Sequence, residues 1–323
     1  MSARYFLRQL GQAIFTIVAI VLLLFVLFRL MPGSPERAIR NPNLKEAQIT
    51  AIRERWGLDK PLVPDQLVSY VQSTLSGDLG YSIKYRGKPV IEVIGDAAGP
   101  TVLLIGIAEF FAIIGGLALG AYAGWRRGGA VDRVGNGVSL ILYSMPYFVI
   151  GMPLIIIFAA ELGWFPTSGM LDPGATYASP IDQLTDFLSH LVLPLATVTL
   201  GLIGGYSILM RSAIIETRTE DYVTTARAKG LKERHIVRQH AFPNALLPTV
   251  TIVAINLGYV VAGALTAEII FNWPGLGTLT YDALSVRDFP VLQGVFLILS
   301  IAVVVANLGA DLLYGVLDPR VRT

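Results

Sequence analysis

Asp221–Pro248 reads DYVTTARAKGLKERHIVRQHAFPNALLP, a polar island between two apolar runs too long for ordinary core helices. Two short helical patterns lie inside it, separated by Gly230. Just upstream, Thr217-Arg218-Thr219-Glu220 has the form of a capping box, threonine first and glutamate three residues on, and predicts a helix start there. Glu220 and Asp221 then fall in the first turn, where acids favour the helix dipole, and Lys229 in the last. Gly230 is the expected stop, since glycine takes the left-handed conformation that ends many helices. Between these ends Tyr222 and Ala226, with Val223 and Ala228 a little round, form a small-residue face with one aromatic. Such a face suits close approach by another surface. A second helix over about Lys232–Ala241 carries Ile236 and Val237 and is expected to end before Pro243. Asn244 reads as the cap of the next helix, with Pro248 in its early turns.

Outward from the island, the class is set by composition. The chain has 323 residues, of which 54% are hydrophobic and 15% charged. Soluble globular domains carry roughly 25% charged residues. Continuous apolar runs of about 20 residues point to a polytopic all-α membrane protein rather than a barrel, whose strands would alternate. The net charge of +2 gives no case for nucleic acid, and lipid is the expected surrounding. With no cysteine, disulfides, thiol nucleophiles and thiolate metal sites are excluded.

Six transmembrane helices are expected, the first at residues 10–30 and the others at about 101–124, 134–160, 191–210, 245–267 and 291–317. Residues 1–30 hold the N-terminus and first span. Residues 31–99, with nine lysines and arginines against eight acids, form a small cap, with amphipathic helices expected at Leu44–Trp56 and Leu67–Leu75, the latter ended by Gly77. Residues 100–323 form the transmembrane core. Lysine and arginine in short loops mark the cytoplasmic side. Short segments on one side carry 14 of them, seven within Arg211–Arg238, whereas 161–189 carry none and the segment around Arg287 carries one. Both termini and the 211–244 loop are therefore expected inside (N-in/C-in), with the cap outside. Basic cytoplasmic loops are common, and composition alone would leave the island as a topological signal with two interfacial helices.

The order of its residues says more. Tyr222-Val223-x-Thr225-Ala226-Arg227-Ala228-Lys229-Gly230-Leu231, followed by His240-Ala241-x-x-Asn244-Ala245-Leu246-x-Pro248, resembles the cytoplasmic "EAA" loop of ABC importer permeases. It is most similar to the dipeptide, oligopeptide and nickel branch, in which Thr224-Thr225-Ala226 stand for Glu-Ala-Ala. The resemblance runs the length of the chain. It takes in Leu30-Met31-Pro32-Gly33, Gly77-Asp78-Leu79-Gly80-x-Ser82, Asp132-Arg133, Ser144-Met145-Pro146-Tyr147-Phe148-Val149 and Met210-Arg211-Ser212. It also includes the external-loop run Glu268-x-x-Phe271-x-Trp273-Pro274-Gly275-x-Gly277 and the C-terminal Asp318-Pro319-Arg320. Ile208 stands where relatives often have arginine, and Glu109 where an apolar residue is expected.

The resemblance implies a permease subunit of an ATP-driven importer in a prokaryotic inner membrane, for di- or oligopeptides, or else nickel chelates or oligosaccharides. It also implies two ABC ATPase subunits that bind ATP and magnesium, a second homologous permease and an external substrate-binding protein. The helix from about Glu220 to Lys229 becomes the coupling helix, with Glu220 to Tyr222 and Thr225 to Leu231 on the ATPase contact and His240, Asn244 and Pro248 as support. The residues agree on one point independently: no Gly-x-x-x-x-Gly-Lys-Ser/Thr occurs, so any ATP site lies on another chain.

Other classes fare worse. An intramembrane protease would pair Ser207 with His190, but 17 helical residues separate them by roughly 25 Å. His190 reads instead as a capping or interfacial residue. His235 and His240 have no matching carboxylates for a metal enzyme. A proton-coupled carrier would use Glu109, Glu268 or Asp311. Glu268 and Asp311 read more simply as fixing helix ends, and Asn256 and Asn307 as interhelical hydrogen-bonding groups.

Overall fold

Away from water, every backbone amide and carbonyl must find its partner inside the protein, and across a bilayer only a helix or a closed barrel achieves this. The computed structural model describes residues 3–30, 47, 50, 61–246, 249, 253 and 265–317. They build α1 (Ala3–Leu30), α2 (Leu67–Leu75), α3 (Val90–Trp125), α4 (Ala130–Ser144) and α5 (Tyr147–Leu154, continued by a wide turn Ile155–Glu161). Then come α6 (Pro180–Thr217), α7 (Asp221–Ala228), α8 (Glu233–Ile236, continued by a wide turn Val237–Ala241), α9 (Leu265–Ile270), α10 (Leu276–Val286) and α11 (Phe289–Leu317). Among the described residues α1, α3, α6 and α11 are long and apolar enough to cross a membrane, and the pair α4–α5 makes five if it counts as one span. The chain is an all-helical membrane protein. Most of the expected helix at 44–56, most of the expected span at 245–267, Asn256 and Pro248 lie outside the described residues.

Several expectations need correction. The run expected to form the third span is not one straight helix: α4 and α5 meet at an angle of 102°. Pro146 forces the residue before it out of helical space, and Met145 sits at φ −83°, ψ 127°. α3 begins at Val90, well before Thr101, and includes Pro100. α6 runs from Pro180 rather than Leu191, because Ser179 and Asp182 form a reciprocal capping box with proline next to the cap.

The chain divides into two units. One comprises residues 1–102 and 274–323. In it α1 and α11 lie antiparallel: the Tyr5 hydroxyl donates to the Asp311 carbonyl (3.1 Å), and at the other end Phe28 meets Phe289 edge-on. The start of α1 and the end of α11 therefore share one end of the pair. α2 packs Tyr70 against Phe25 of α1 and ends at Gly77 (φ +74°), as expected. Between α2 and α3, a hairpin over Tyr81–Pro89 is clamped by buried Asp288. That carboxylate accepts from the Ser82 hydroxyl (2.6 Å) and the Ile83 and Lys84 amides (2.9 Å each). Burial raises the Asp288 pKa, and the hydrogen bonds oppose that shift.

The other unit is residues 103–273, organised on α6. Gly116, Gly120 and Gly124 of α3 face the carbonyls of Ile203, Ser207 and Arg211 on α6. A Cβ at Gly116 or Gly124 would come within 2.9 or 2.7 Å of the carbonyl oxygen opposite, so only glycine permits this approach. On another side of α6, Gly204 abuts the α4 backbone, and the Ser139 hydroxyl donates to Ser207 (3.0 Å). The Tyr206 hydroxyl donates to Glu109, and both side chains are buried.

Candidate functional site

α6 ends at Thr217, and the capping box expected there does not form. Thr217 is buried in the last turn, and its hydroxyl bonds back to the Ala213 carbonyl (2.8 Å), four residues earlier. The chain turns through 218–220, and Glu220, in extended backbone, becomes the cap residue of α7. Asp221 occupies the first turn. Gly230 at φ +77° stops the helix as expected, with open space around its α-carbon, so conformation alone requires glycine.

α7 is held by one face. Val223 and Ala226 are buried against Ile236 of α8, and Trp125, the last residue of α3, packs on all three. The Trp125 ring is flanked by two guanidinium groups, Arg227 at 5.2 Å and Arg218 at 5.9 Å from its centroid. These are cation–π distances. Arg227 also donates to Glu233 through Nε (2.8 Å) and Nη2 (3.4 Å), tying α7 to α8. Arg227 beside Glu233 holds that carboxyl below the ordinary glutamate range. The opposite face, with Tyr222, Thr225, Ala228, Lys229 and Leu231, is exposed, as are Glu220, Asp221 and Gly230.

The predicted contact set thus splits. Ala226, expected on the outer face, lies inside, as does Val223. The helix after Lys232 does not end before Pro243. Its wide turn at 237–241 shifts the hydrogen-bond register, and residues 242–246 remain helical. Asn244 therefore caps nothing: its side-chain amide donates to the His240 carbonyl (2.6 Å) inside that helix. Ala241 and Ala245 from this stretch are buried with Ala121 of α3 and Met210, Ala213 and Ile214 of α6. Arg211 of α6 grips Asp132 of α4 through Nε (2.6 Å) and Nη2 (3.1 Å), and Asp132 also accepts the Gly128 amide (2.8 Å). The α3–α4 turn is thereby fixed beside the base of α6.

Along the Glu268–Gly277 run, Glu268 and Phe271 are buried in the α6 unit, and the Phe271 carbonyl accepts the Gly169 amide (2.8 Å). Pro274 and Gly277 belong to the other unit. There Gly275 caps α10, and the Thr101 hydroxyl accepts the Leu276 amide (2.7 Å). Ser207 and His190 lie far apart on one helix, as expected. His190 is buried, between Asp172 and Asp186. His235 meets His240 edge-on, with ring centroids 6.3 Å apart, and His235 is exposed. Ile208 lines a cavity of about 470 Å³ with Tyr143, Gly201, Gly205, Tyr206 and Ser212. Sequence reasoning missed Trp125, the Asp132–Arg211 pair and the partner of Glu109, each a contact between residues far apart in the chain.

Residues 116–323 match the family model described as the inner membrane component of binding-protein-dependent transport systems, and residues 2–94 match its N-terminal companion. Two relatives align over nearly the whole chain. One, from Sinorhizobium fredii (strain NBRC 101917 / NGR234), is named probable peptide ABC transporter permease protein y4tP and is 36% identical, covering 98% of this chain and 99% of its own. Another is the glutathione transport system permease protein GsiC of Pectobacterium atrosepticum, 35% identical and covering 98% of each chain. In fold, the chain is similar to a solved chain of the inward-facing MetNI methionine ABC transporter. The TM-score is 0.57 at 19% identity, covering 71% of this chain and 97% of that one. A permease of this kind carries no ATPase domain and works with an ATPase and a binding protein, which rules against the protease and carrier readings. The chain therefore belongs to the inner-membrane components of binding-protein-dependent transport systems, as a multi-pass permease subunit of an ABC importer.

Proposed function

We propose that this permease imports peptides, glutathione-sized tripeptides included, and that α7 is the element through which a cytoplasmic ATPase drives it. The substrate reading rests on the names of the two relatives above. The coupling reading rests on one observation: α7 is anchored on Trp125 by Val223 and Ala226, while Tyr222, Thr225, Ala228, Lys229 and Leu231 stay exposed. A short helix fixed to a span at its back and bare at its front can pass a push to the membrane part. Glu220, Asp221, Arg227 and Gly230 complete the contact in this reading, and His240, Asn244 and Pro248 support it.

The topology belongs to the same proposal. Six spans, with α4–α5 as one broken span and 245–267 as the fifth, put both termini and the 211–244 loop in the cytoplasm and the 31–99 cap outside. The antiparallel α1–α11 pair and the basic loop after α6 support this arrangement. The assembled importer then holds two ATPase subunits with ATP and magnesium, a second homologous permease and an external binding protein. Glu268, Phe271, Pro274, Gly275 and Gly277 lie on the external side. When the ATPase pair closes, α7 is displaced and Trp125 carries the displacement into α3, tilting the spans between inward- and outward-open forms.

Gly230→Val tests the coupling. A β-branched residue at φ +77° costs on the order of 1–3 kcal/mol locally, so α7 loses its defined end without disturbing the spans. In the reconstituted complex, ATP hydrolysis is expected to persist while uptake falls at least tenfold. Unchanged uptake per ATP would sink the assignment.

A further inference from the structure

At the opposite end of α6, His190 is set in a place that a histidine alone does not explain. The Ser179–Asp182 capping box starts the helix so that Asp186 and His190, four residues apart, share a face. Asp186 Oδ2 accepts the Tyr177 hydroxyl (2.5 Å) and the Asp172 amide (2.9 Å), which folds 172–177 back over that face. The His190 side chain is 1% exposed. Its Nδ1 lies 2.9 Å from the Asp186 backbone carbonyl, a group that only accepts, so Nδ1 carries the hydrogen. Asp186 Oδ1, at 3.1 Å from the same nitrogen, reinforces that tautomer.

The consequence falls on Nε2. In the neutral ring it is a bare acceptor, and it points at another acceptor, Asp172 Oδ1, at 3.6 Å, too far for a hydrogen bond. Two acceptors face each other, and the adjoining segment 161–189 holds Glu161, Asp172, Asp182 and Asp186 and neither lysine nor arginine. Such a pair suits a cation.

We propose that Asp172 and His190 ligate a divalent transition-metal ion of the zinc type, with Asp186 orienting the imidazole from behind. Metal–nitrogen and metal–oxygen bonds of about 2.0–2.1 Å at tetrahedral angles separate two ligand atoms by about 3.3 Å, close to the spacing present. A carboxylate and carbonyl on the far nitrogen are the usual outer partners of a metal-bound histidine. Ligand atoms of Asp172, Asp186 and His190 all lie within 4.8 Å of one another. Asp172 is 68% exposed, so the ion has a way in, and its remaining positions are open to water or to an oxygen from a docked protein. Bound there, the ion pins the 171–177 loop to α6. The rival occupant is a proton, making His190 an imidazolium between two carboxylates.

The test uses the full-length permease in detergent, stripped with EDTA and titrated with zinc at neutral pH by calorimetry. His235→Asn/His240→Asn serves as the background, because those rings also attract metal. One equivalent is expected, with a raised thermal midpoint, and Asp172→Asn should weaken binding at least tenfold while keeping the amide that Asp186 accepts. His190→Gln should abolish it. Asp172→Asn carries the test even if His190→Gln fails to fold. Absence of stoichiometric binding, or binding indifferent to Asp172→Asn, would overturn the proposal. So would nitrogen NMR showing an imidazolium at His190 in the presence of saturating zinc.

Discussion

At one end of α6 the chain carries seven lysines and arginines between Arg211 and Arg238 and sets two of them against the Trp125 ring. At the other end, residues 161–189 carry none and fold around His190 with Asp172 and Asp186. The helix between them has 38 residues, about 57 Å at 1.5 Å per residue, enough to cross a bilayer and emerge on both sides. Each end also solves a different structural problem. The basic end docks a second layer of short helices through buried alanines and one tryptophan, leaving a face bare. The acidic end draws a loop onto the helix with hydrogen bonds to a single carboxylate.

The comparison breaks first at its tryptophans. Trp125→Ala removes the ring against which Val223, Ala226 and Ile236 pack and the seat of both guanidinium groups. A loss of about 2–4 kcal/mol in local stability is expected, by the scale of large-to-small substitutions. Limited proteolysis of the 217–246 loop should accelerate, and uptake should fall by an order of magnitude. Trp164 on the acidic side touches Phe158 at 5.7 Å but is 63% exposed. Trp164→Ala should change stability by no more than about 1 kcal/mol and leave uptake near its starting value. Equal effects from the two substitutions would remove the asymmetry on which the coupling reading stands.

Some of this design was legible in the sequence, and the rest was hidden for identifiable reasons. Gly230 could be read because its role is local: a left-handed stop depends on the residue itself. Long apolar runs announced the helices for the same reason. Thr217 was misread because its hydroxyl has two local options, and in a buried last turn it donates back to the carbonyl of Ala213. The break at Met145 is written in Pro146, yet the apolar run continues through it and a hydropathy reading passes straight over the bend. Ala226 was placed on the wrong side of α7, since a helix of small residues gives little periodicity to separate its faces. Asp132–Arg211 and Glu109–Tyr206 join residues 79 and 97 positions apart, and no pattern along the chain pairs them.

A smaller effect sharpens the picture at the basic end. Glu233 bonds Arg227 with a side chain that is 57% exposed, so Glu233→Gln should cost no more than about 0.5 kcal/mol. The sign of its pH dependence is fixed. A carboxyl whose folded pKa is lowered contributes fully above the unfolded value, about 4.3 for glutamate. The contribution fades as pH falls from there through the folded value. Thermal midpoints of wild type and Glu233→Gln should therefore differ slightly near neutrality and converge under acid. Divergence under acid would contradict the pair.

The central claim, that the bare face of α7 meets the ATPase, has a direct measurement because the chain contains no cysteine. Thr225→Cys on α7 and Ile181→Cys at the far end of α6, 73% exposed, place one thiol at each end of the same helix system. In the assembled complex, a short thiol cross-linker should join Thr225→Cys to the ATPase subunit and leave Ile181→Cys unlinked to it. A cross-link from Ile181→Cys with none from Thr225→Cys would contradict the account.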